Sequence, residues 1–529
     1  MRQADAEITI WGGEHVDIYD KINELYDRRR KVELGGGDEK IEKQHQRGKL
    51  TARERIDLLV DPGSFVELNP FIEHRAQHLG LNGDAPGEGV VTGFANISGR
   101  PVFLFAQDFT VFGGALGEMH GKKIAAVMDM AAKKGVPIIG LNDSGGARIQ
   151  EGVVSLDGYG HVFYRNTIYS GVIPQISVIL GPCAGGAVYS PALTDFVIMV
   201  DHTSQMFITG PKVIQTVTGE KISAEDLGGS EVHNRLSGNA HFRAKSEEEA
   251  FAIVRKLLGY LPANNRETAP VAEGDGTSDY RENLIDLVPF DPTRPYDVRR
   301  VIEEIVDRGS FMEVHAAFAK NAVVGFARIK GTAVGIVANQ PKAMAGGLDI
   351  DASDKVARFI RFCDAFNLPL ITFVDVTGFF PGVKQEHGGI IRHGAKIIYA
   401  YAEATVPKLT VILRKAYGGA YVAMNSKSIG ADLVFAWPNA EIAVMGPEGA
   451  ATVIFAKEIQ ESPDPVRTRA EKIQEYRERF SNPYVAAAYG MVDDVIDPRE
   501  TRIKLLQGLD MLRGKRETRP WKKHGNLPL

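Results

Sequence analysis

Short apolar runs and helical patterns alternate along the chain. In the first half, the apolar runs 102–105 and 137–141 predict two buried strands. The stretch 122–133 between them predicts a helix, because its apolar residues recur at helical spacing. A third strand is predicted over 176–180, and a Gly-Gly pair and a helix follow it. This alternation predicts an α/β fold with mainly parallel strand pairing.

The second half repeats the same order of elements. Its strand patterns lie at 334–338, 370–374 and 409–413, and its helical pattern lies at 354–366. A second Gly-Gly pair again follows the last of these strands.

Direct sequence matches show that the repeat is a duplication. The segment 93–99 (GFANISG) matches 325–331 (GFARIKG), 232 residues further on (325 − 93). Likewise 173–180 matches 406–413, at a separation of 233 (406 − 173). A solenoid is excluded, because its repeats run about 20–50 residues. The chain is therefore expected to contain two homologous domains.

The boundary between these domains is expected within 262–279, where Pro, Asn and Gly are frequent and hydrophobic periodicity lapses. Before it, Ser246 and Glu249 have the spacing of a capping box that opens a helix. We therefore predict an N-terminal domain over residues 1–265, with a helical segment at its start, and a C-terminal domain over 280–529.

Composition excludes several classes of protein. The 529 residues carry 62 Lys and Arg against 67 Asp and Glu, so no basic excess is available for nucleic acid. The two cysteines, Cys183 and Cys363, exclude a disulfide scaffold and a multi-cysteine zinc site, and fit a reducing cytosol. No apolar run reaches the roughly 18 residues of a membrane span, and the first residues show no signal peptide. We expect a cytoplasmic protein without direct membrane insertion.

Two Gly-Gly motifs recur in both halves. Segment 113–115 (GGA) is matched with 346–348 (GGL), and 185–187 (GGA) with 418–420 (GGA). Glycine lets backbone N–H groups approach a ligand closely, and a helix N-terminus has free N–H groups and a partial positive charge. Together these features suit a developing oxyanion. The alternative is that the glycines only make tight turns and close helix–strand contacts.

Other candidate residues indicate structure more than chemistry. Ser144 lacks the G-x-S-x-G pattern of a nucleophile, and Cys183 has no partner His near it in sequence. The 13 histidines include no H-E-x-x-H pattern, so no metal site is predicted. Asp375 follows its strand and could be catalytic, but its match with Asp143 favours a turn-capping role in both halves.

Longer motifs resemble one enzyme family. They are 47–56 (RGKLTARERI), 143–152 (DSGGARIQEG), 181–191 (GPCAGGAVYSP), 417–421 (YGGAY) and 443–450 (AVMGPEGA). These motifs are similar to the carboxyltransferase (beta) subunit of biotin-dependent acyl-CoA carboxylases of the propionyl-CoA carboxylase type. That family also includes the carboxyltransferase subunits of methylmalonyl-CoA decarboxylase and transcarboxylase. The resemblance covers nearly the whole chain.

The resemblance implies two crotonase-like domains and a ring-shaped homohexamer. The active site would lie between the N-domain of one subunit and the C-domain of another. The partner would be a subunit with biotin carboxylase or biotin carboxyl carrier function, since this chain has no Met-Lys-Met biotinylation site. The implied reaction moves a carboxyl group from carboxybiotin to the α-carbon of a short-chain acyl-CoA, with propionyl-CoA giving methylmalonyl-CoA. No C-x-x-C pair occurs, which disfavours the zinc-ribbon type of acetyl-CoA carboxyltransferase.

The resemblance also implies roles for individual residues. Gly185 and Gly186 would stabilise the thioester enolate, and Gly419 and Ala420 the ureido oxyanion of biotin. Val422 would border the acyl pocket, where an apolar side chain suits a methyl or ethyl tail. The implied acyl-CoA-binding residues are Gly113, Gly114, Ala115, Gly145, Gly146, Ala147 and Arg148. The implied biotin-binding or acyl-pocket residues are Gly346, Gly347, Thr377, Gly378, Phe379 and Val422.

Three alternative functions stay open at this point. The reverse reaction, in a methylmalonyl-CoA decarboxylase or transcarboxylase, would use the same site. A biotin-independent hydratase or isomerase would need acidic residues near the turns, but Ala184, Val188, Tyr421 and Val422 flank them. A non-catalytic CoA-binding scaffold subunit is the third, and two intact Gly-Gly turns count against it.

Overall fold

The computed structural model describes residues 17–75 and 85–529, which form sixteen β-strands in two sheets of eight. The first sheet contains β1 (Val66–Leu68), β2 (Val90–Ile97), β3 (Arg100–Gln107), β4 (Ile138–Ser144), β5 (Gln175–Ala184), β6 (Phe196–Val200), β7 (Gln205–Phe207) and β8 (Phe242–Ala244). The second contains β9 (Met312–Val314), β10 (Ala322–Ile329), β11 (Thr332–Asn339), β12 (Leu370–Val376), β13 (Lys408–Tyr417), β14 (Leu433–Ala436), β15 (Glu441–Ala443) and β16 (Asp494–Val495).

Twenty-one α-helices cover and connect these sheets in the described ranges. Those before the second sheet are α1 (Ile18–Glu33), α2 (Asp38–His45), α3 (Ala52–Leu59), α4 (Glu118–Lys134), α5 (Val153–Ile168), α6 (Gly186–Leu193), α7 (Pro211–Thr218), α8 (Ala224–Gly228), α9 (Ser230–Arg235), α10 (Glu247–Tyr260), α11 (Leu284–Leu287) and α12 (Val298–Ile305). The rest are α13 (Ile350–Ala365), α14 (Val383–Gly388), α15 (Ile390–Glu403), α16 (Gly418–Ala423), α17 (Pro447–Ile454), α18 (Ala456–Gln460), α19 (Pro465–Tyr476), α20 (Pro483–Ala488) and α21 (Thr501–Met511). None of these helices is long and apolar enough to cross a membrane.

The two sheets share one topology. The first has the order β1-β2-β3-β4-β5-β6-β8 with β7 beside β5, and the second has β9-β10-β11-β12-β13-β14-β16 with β15 beside β13. In each sheet the first three strands are antiparallel and the following ones are parallel. This strand-for-strand agreement confirms the predicted α/β fold with two homologous domains. The boundary within 262–279 stays a prediction.

Most of the predicted strands and helices lie inside longer observed elements, but the strand predicted from residue 137 begins at Ile138, and the helix predicted to residue 366 ends at Ala365. All seven residues of β12 and all ten of β13 are buried, which explains why their segments 370–374 and 409–413 are apolar except for one threonine each. Helix α10 begins where predicted, with the Ser246 side chain accepting a bond from the Glu249 N–H. The Glu249 carboxylate, however, accepts from Lys245 N–H rather than from Ser246, so the reciprocal half of the predicted capping box is not formed.

The two domains share an aromatic core. Phe196 of β6 contacts Phe326 of β10 and Phe362 of α13, with ring centroids 5.9 and 4.7 Å apart. Tyr260 of α10 stacks on Phe326 at 5.9 Å, and its hydroxyl donates to the carbonyl of Ser310. Phe196 and Phe326 are almost completely buried. The domains are therefore fixed against each other by continuous packing.

Candidate active site

The first Gly-Gly turn joins β5 to α6. Gly185 has φ 58°, in the region that favours glycine, and its N–H donates to the carbonyl of Phe207 at 3.2 Å. Gly186 is the first residue of α6, and among the described hydrogen bonds neither its N–H nor that of Ala187 has a protein acceptor. This turn thus has open N–H groups at a helix N-terminus, and of the two predicted glycines only Gly186 supplies one.

The second turn has the same form. Gly418 has φ 60° and begins α16, directly after β13. The N–H groups of Gly419 and Ala420 have no protein acceptor among the described hydrogen bonds. Gly419 is exposed, and a Cβ added to it would meet no atom within 4 Å. The structure therefore confirms the match of 185–187 with 418–420.

A pair of loops lies at the carboxyl ends of β3 and β4. The Gly145 N–H donates to the Gly113 carbonyl at 2.9 Å, and the Leu116 N–H to the Gly146 carbonyl at 2.9 Å. Ala147 forms an isolated bridge with Leu116. A Cβ at Gly114 would collide with the carbonyl oxygen of Asp143, so only glycine fits there. The structure thus brings six of the seven predicted acyl-CoA-binding residues into two adjacent loops.

Arg148, the seventh residue, is buried between two carboxylates. Its guanidinium pairs with Glu88 at 2.8 Å and Glu151 at 2.7 Å, and donates to the Ala115 carbonyl at 3.1 Å. Burial raises the pKa of Glu88, and the Arg148 charge opposes that shift. Glu151 also accepts the N–H of Glu118 at 2.7 Å, at the start of α4. Arg148 therefore holds the loop in place, and its charge is already neutralised by protein.

The second domain has an equivalent pair of loops, with one change of register from the predicted match. The Leu348 N–H donates to the Gly378 carbonyl at 3.0 Å, and a Cβ at Gly346 would collide with the Asp375 carbonyl. These contacts make Gly346 the equivalent of Gly114, at a separation of 232 residues (346 − 114). The predicted match of 113–115 with 346–348 is therefore wrong by one residue. The equivalent of Gly113 is Ala345, which adopts φ 50° although it has a side chain.

The other predicted residues of this second pair of loops differ in exposure. Gly347 is buried, and its carbonyl accepts from the Asn321 side chain at 2.8 Å. Thr377 is exposed, and its hydroxyl donates to the Ala345 carbonyl at 3.4 Å. Phe379 bridges to Leu348 and is half-buried. The structure thus brings Gly346, Gly347, Thr377, Gly378 and Phe379 into two adjacent loops.

Val422 lies on α16, three residues after Gly419. It is half-buried and packs against the main hydrophobic core. Its position on the same short helix as Gly419 and Ala420 brings it near the second turn.

Asp143 and Asp375 anchor buried cations instead of capping turns, which corrects the prediction from sequence. Asp143 pairs with Lys49 at 2.7 Å and Arg55 at 2.9 Å, and all three side chains are buried. Asp375 pairs with Arg414 at 3.0 Å. Burial raises the pKa of Asp375, and the positive charge of Arg414 opposes that shift.

Sequence reasoning did not identify the partners of Asp143. Arg55 lies in the motif 47–56, which is distinctive in sequence, but nothing in that motif shows that it folds against β4. Cys183 is fully buried, as predicted, and burial raises the pKa of its thiol to about 12. It is therefore a poor nucleophile.

Comparisons with known proteins identify the family and the fold of the chain. Residues 43–527 match the carboxyl transferase domain family. The chain is 59% identical to the methylmalonyl-CoA decarboxylase subunit alpha of Propionigenium modestum, covering 96% of this chain and 99% of that protein. It is 55% identical to the propionyl-CoA carboxylase beta chain of Saccharopolyspora erythraea, covering 100% of both. The crystal structure of transcarboxylase 12S, a hexamer with methylmalonyl-CoA and methylmalonic acid bound, superposes with TM-score 0.95 at 55% identity, over 97% of this chain and 99% of that one.

Proposed function

The chain belongs to the carboxyl transferase family, and from this premise we propose that it transfers a carboxyl group between the biotin of a partner subunit and the α-carbon of a short-chain acyl-CoA. The preferred reaction converts propionyl-CoA into methylmalonyl-CoA. One observation carries the proposal: two equivalent helix N-termini, at Gly186 and Gly419, each present open backbone N–H groups.

Two such sites match what the reaction requires. Negative charge develops on the thioester oxygen when the α-proton leaves, and on the ureido oxygen when the carboxyl group departs. We assign Gly186 and Ala187 to the thioester oxygen, and Gly419 and Ala420 to the ureido oxygen. Preorganised N–H donors stabilise such charge, and the loss of one donor typically costs about 2.7–4 kcal/mol of barrier.

The surroundings of Gly419 fit a flat ring. Its backbone is exposed and the space where a Cβ would lie is empty, so a planar ureido group can approach the N–H. The partner's biotin would supply the transferable carboxyl group. This chain would contribute the N–H donors and the packing that aligns the two substrates.

The acyl-CoA would lie along the first pair of loops. Arg148 keeps the chain segments 113–116 and 145–148 together, and this fixes the positions of the backbone groups that would contact the thioester. The half-buried Val422 borders the acyl tail. An apolar residue there supports propionyl-CoA, although one methylene changes specificity by only about 1–3 kcal/mol.

The reverse direction is a second candidate function. The 59% identity to a methylmalonyl-CoA decarboxylase subunit supports it. The same turns would serve both directions of the reaction, so the partner subunit would decide whether the chain takes part in carboxylation or decarboxylation. A biotin carboxylase partner implies carboxylation, and a sodium-pumping membrane partner implies decarboxylation.

We further propose a homohexamer in the cytoplasm. The transcarboxylase 12S structure is a hexamer, and this chain exposes large apolar side chains that such an assembly would cover. Examples are Ile149 and Val153 in the first domain, 88% and 75% exposed, and Ile391 and Val453 in the second, 79% and 69% exposed. The two free, buried cysteines fit a reducing compartment.

The test measures carboxyl transfer from labelled methylmalonyl-CoA to free biotin by the purified chain. We expect transfer that depends on biotin, with propionyl-CoA preferred over acetyl- and butyryl-CoA when a carboxylated biotin carrier is used in the forward direction. An absence of biotin-dependent transfer with every acyl-CoA would leave the non-catalytic scaffold as the function.

A further inference from the structure

A polar side-chain network lies directly behind the second turn. Tyr417 is the last residue of β13 and precedes Gly418. Its side chain is almost completely buried, and its hydroxyl donates to the Glu441 carboxylate. Burial and this carboxylate both raise the pKa of Tyr417, so the phenol keeps its proton and acts as the donor.

Arg477 extends the network to the helices beside the turn. Its Nε donates to Glu441 at 3.1 Å, and its NH2 group to Glu448 at 2.8 Å, in the first turn of α17. Arg477 begins a π-helical turn, Arg477–Ser481, at the end of α19. Such turns are rare and frequently occur at functional sites. The network thus connects β13, β15, α17 and the end of α19.

The Tyr417 ring has little freedom to move. Tyr417 pairs with Ala443 in the parallel register of β13 and β15. A Cβ at Gly446 would lie 3.3 Å from the ring, and one at Gly418 would lie 3.1 Å from the Val444 carbonyl. The segment 443–446 therefore packs closely against both the ring and the turn.

The first turn is held in a different way. Its equivalents of Tyr417 and Glu441 are Ala184 and Gln205, which cannot form a phenol–carboxylate bond. Instead the Gly185 N–H donates to the Phe207 carbonyl. The second turn therefore has a side-chain bond behind it that the residues at the equivalent positions of the first turn cannot form.

We propose that Tyr417, Glu441 and Arg477 are positioning residues that hold the Gly418–Gly419 turn in the orientation that receives biotin. This inference rests on the proposed function. Because the network lies directly behind the second turn, its loss weakens the use of biotin much more than the use of acyl-CoA, which would meet α16 only at Val422.

The experiment compares Tyr417→Phe and Glu441→Ala with the unmodified chain in the transfer from methylmalonyl-CoA to free biotin. We expect KM for biotin to rise about 5- to 10-fold, in the range that one lost hydrogen bond produces, and KM for methylmalonyl-CoA to stay within twofold. Glu441→Gln keeps an acceptor for Tyr417 and should recover part of the loss. The double variant should be no worse than Glu441→Ala alone, because Glu441→Ala already removes the Tyr417–Glu441 bond that Tyr417→Phe removes.

Tyr169→Phe is the matched control. The Tyr169 hydroxyl donates to Asp129 at 2.6 Å, and Asp129 also pairs with Arg165, so a tyrosine, a carboxylate and an arginine meet here too. This variant should leave both KM values unchanged. Equal changes of both KM values in Tyr417→Phe, or a fall in thermal stability with no change in KM for biotin, would overturn the positioning role. A lack of biotin-dependent transfer in the unmodified chain is a separate result, which rejects the proposed function and this inference with it.

Discussion

Gly186 and Gly419 have equivalent places in the fold but different surroundings. A Cβ at Gly186 would lie 2.8 Å from the Tyr159 ring, whereas one at Gly419 would meet nothing within 4 Å. A methyl group at Gly186 therefore disturbs packing, and one at Gly419 only occupies space outside the protein. The two positions separate an effect on stability from an effect on ligand access.

We predict that Gly419→Ala folds with an unchanged melting temperature and loses at least tenfold in carboxyl transfer to biotin. Gly186→Ala should also lower stability, by about 1–3 kcal/mol, because the Tyr159 ring must move. Thermal unfolding and the transfer assay measure the two effects. Gly259→Ala is the control, because that glycine also lies in a helix and has no atom within 4 Å of an added Cβ. Full activity of Gly419→Ala would argue against a ligand at the second turn.

At the scale of single residues, the sequence predicted positions better than contacts. The Gly-Gly pairs mark both turns because Gly185 and Gly418 adopt φ values of 58° and 60°, which favour glycine. The register of 346–348 could not be predicted, since Ala345 takes a backbone conformation that usually requires glycine. The two carboxylates that surround Arg148 could not be predicted either, because Glu88 lies 60 residues away along the chain.

At the scale of elements, a buried ion network attaches the N-terminal helices to the first sheet. Arg55 of α3 pairs with Asp143 of β4 and, through two bonds of 2.7 and 2.9 Å, with Glu247 of α10. Its NH2 group also donates to the Leu180 carbonyl of β5 at 3.0 Å. One side chain therefore connects two helices and two strands below the first turn.

We predict that Arg55→Met lowers the free energy of unfolding by about 3–5 kcal/mol, because it leaves Asp143 and Glu247 with incomplete charge compensation in the interior. Arg53→Met is the control. Arg53 pairs with Glu67 nearer the surface, where the loss should stay below about 1 kcal/mol. Urea unfolding of both variants measures the difference. Similar losses would mean that the buried network contributes no more than a surface pair.

A second prediction at this scale concerns Asp195, which precedes β6 and accepts the Gln175 N–H at 2.8 Å. Burial raises the pKa of Asp195 from 3.8 to about 6. The folded state then binds this proton more tightly than the unfolded state, so the contribution to stability is complete below pH 4 and is lost as pH rises through 6. Asp195→Asn should therefore raise the melting temperature at pH 7.5 and leave it unchanged near pH 4.

Asp129→Asn is the control for this pH dependence. Burial favours a higher pKa at Asp129, but the bonds from Arg165 and Tyr169 outweigh it and lower the pKa. The charged form of Asp129 therefore stabilises the folded state, and Asp129→Asn should be less stable than the unmodified chain at pH 7.5. Equal melting temperatures of Asp195→Asn and the unmodified chain at pH 7.5 would contradict the raised pKa of Asp195.

At the scale of the whole molecule, the duplication gives the protein two Gly-Gly turns, one proposed for the thioester oxygen and one for the ureido oxygen. The repeat in the sequence predicted both domains, and the mainly apolar segments of the buried strands predicted parallel pairing. The packing of one domain on the other could not be predicted. It depends on Phe196, Phe326 and Phe362, which are far apart in sequence and resemble other core residues.

We predict that two inactive variants restore activity when they are combined. If each active site joins the N-domain of one subunit to the C-domain of another, a mixed oligomer of Gly186→Val and Gly419→Val contains some sites with both turns intact. Co-expression with two different affinity tags, followed by the transfer assay on the doubly tagged species, measures this. A doubly tagged oligomer without activity would place both turns of each site in the same chain.

The shared aromatic core limits how far the two domains can exist as separate chains. Separating the chain between residues 262 and 279 would expose Phe196 on one product and Phe326 on the other, each nearly free of solvent contact in the intact protein. Each product would then expose an apolar face that favours aggregation. We therefore expect each domain alone to aggregate, so the residues of the shared core are constrained by both domains at once.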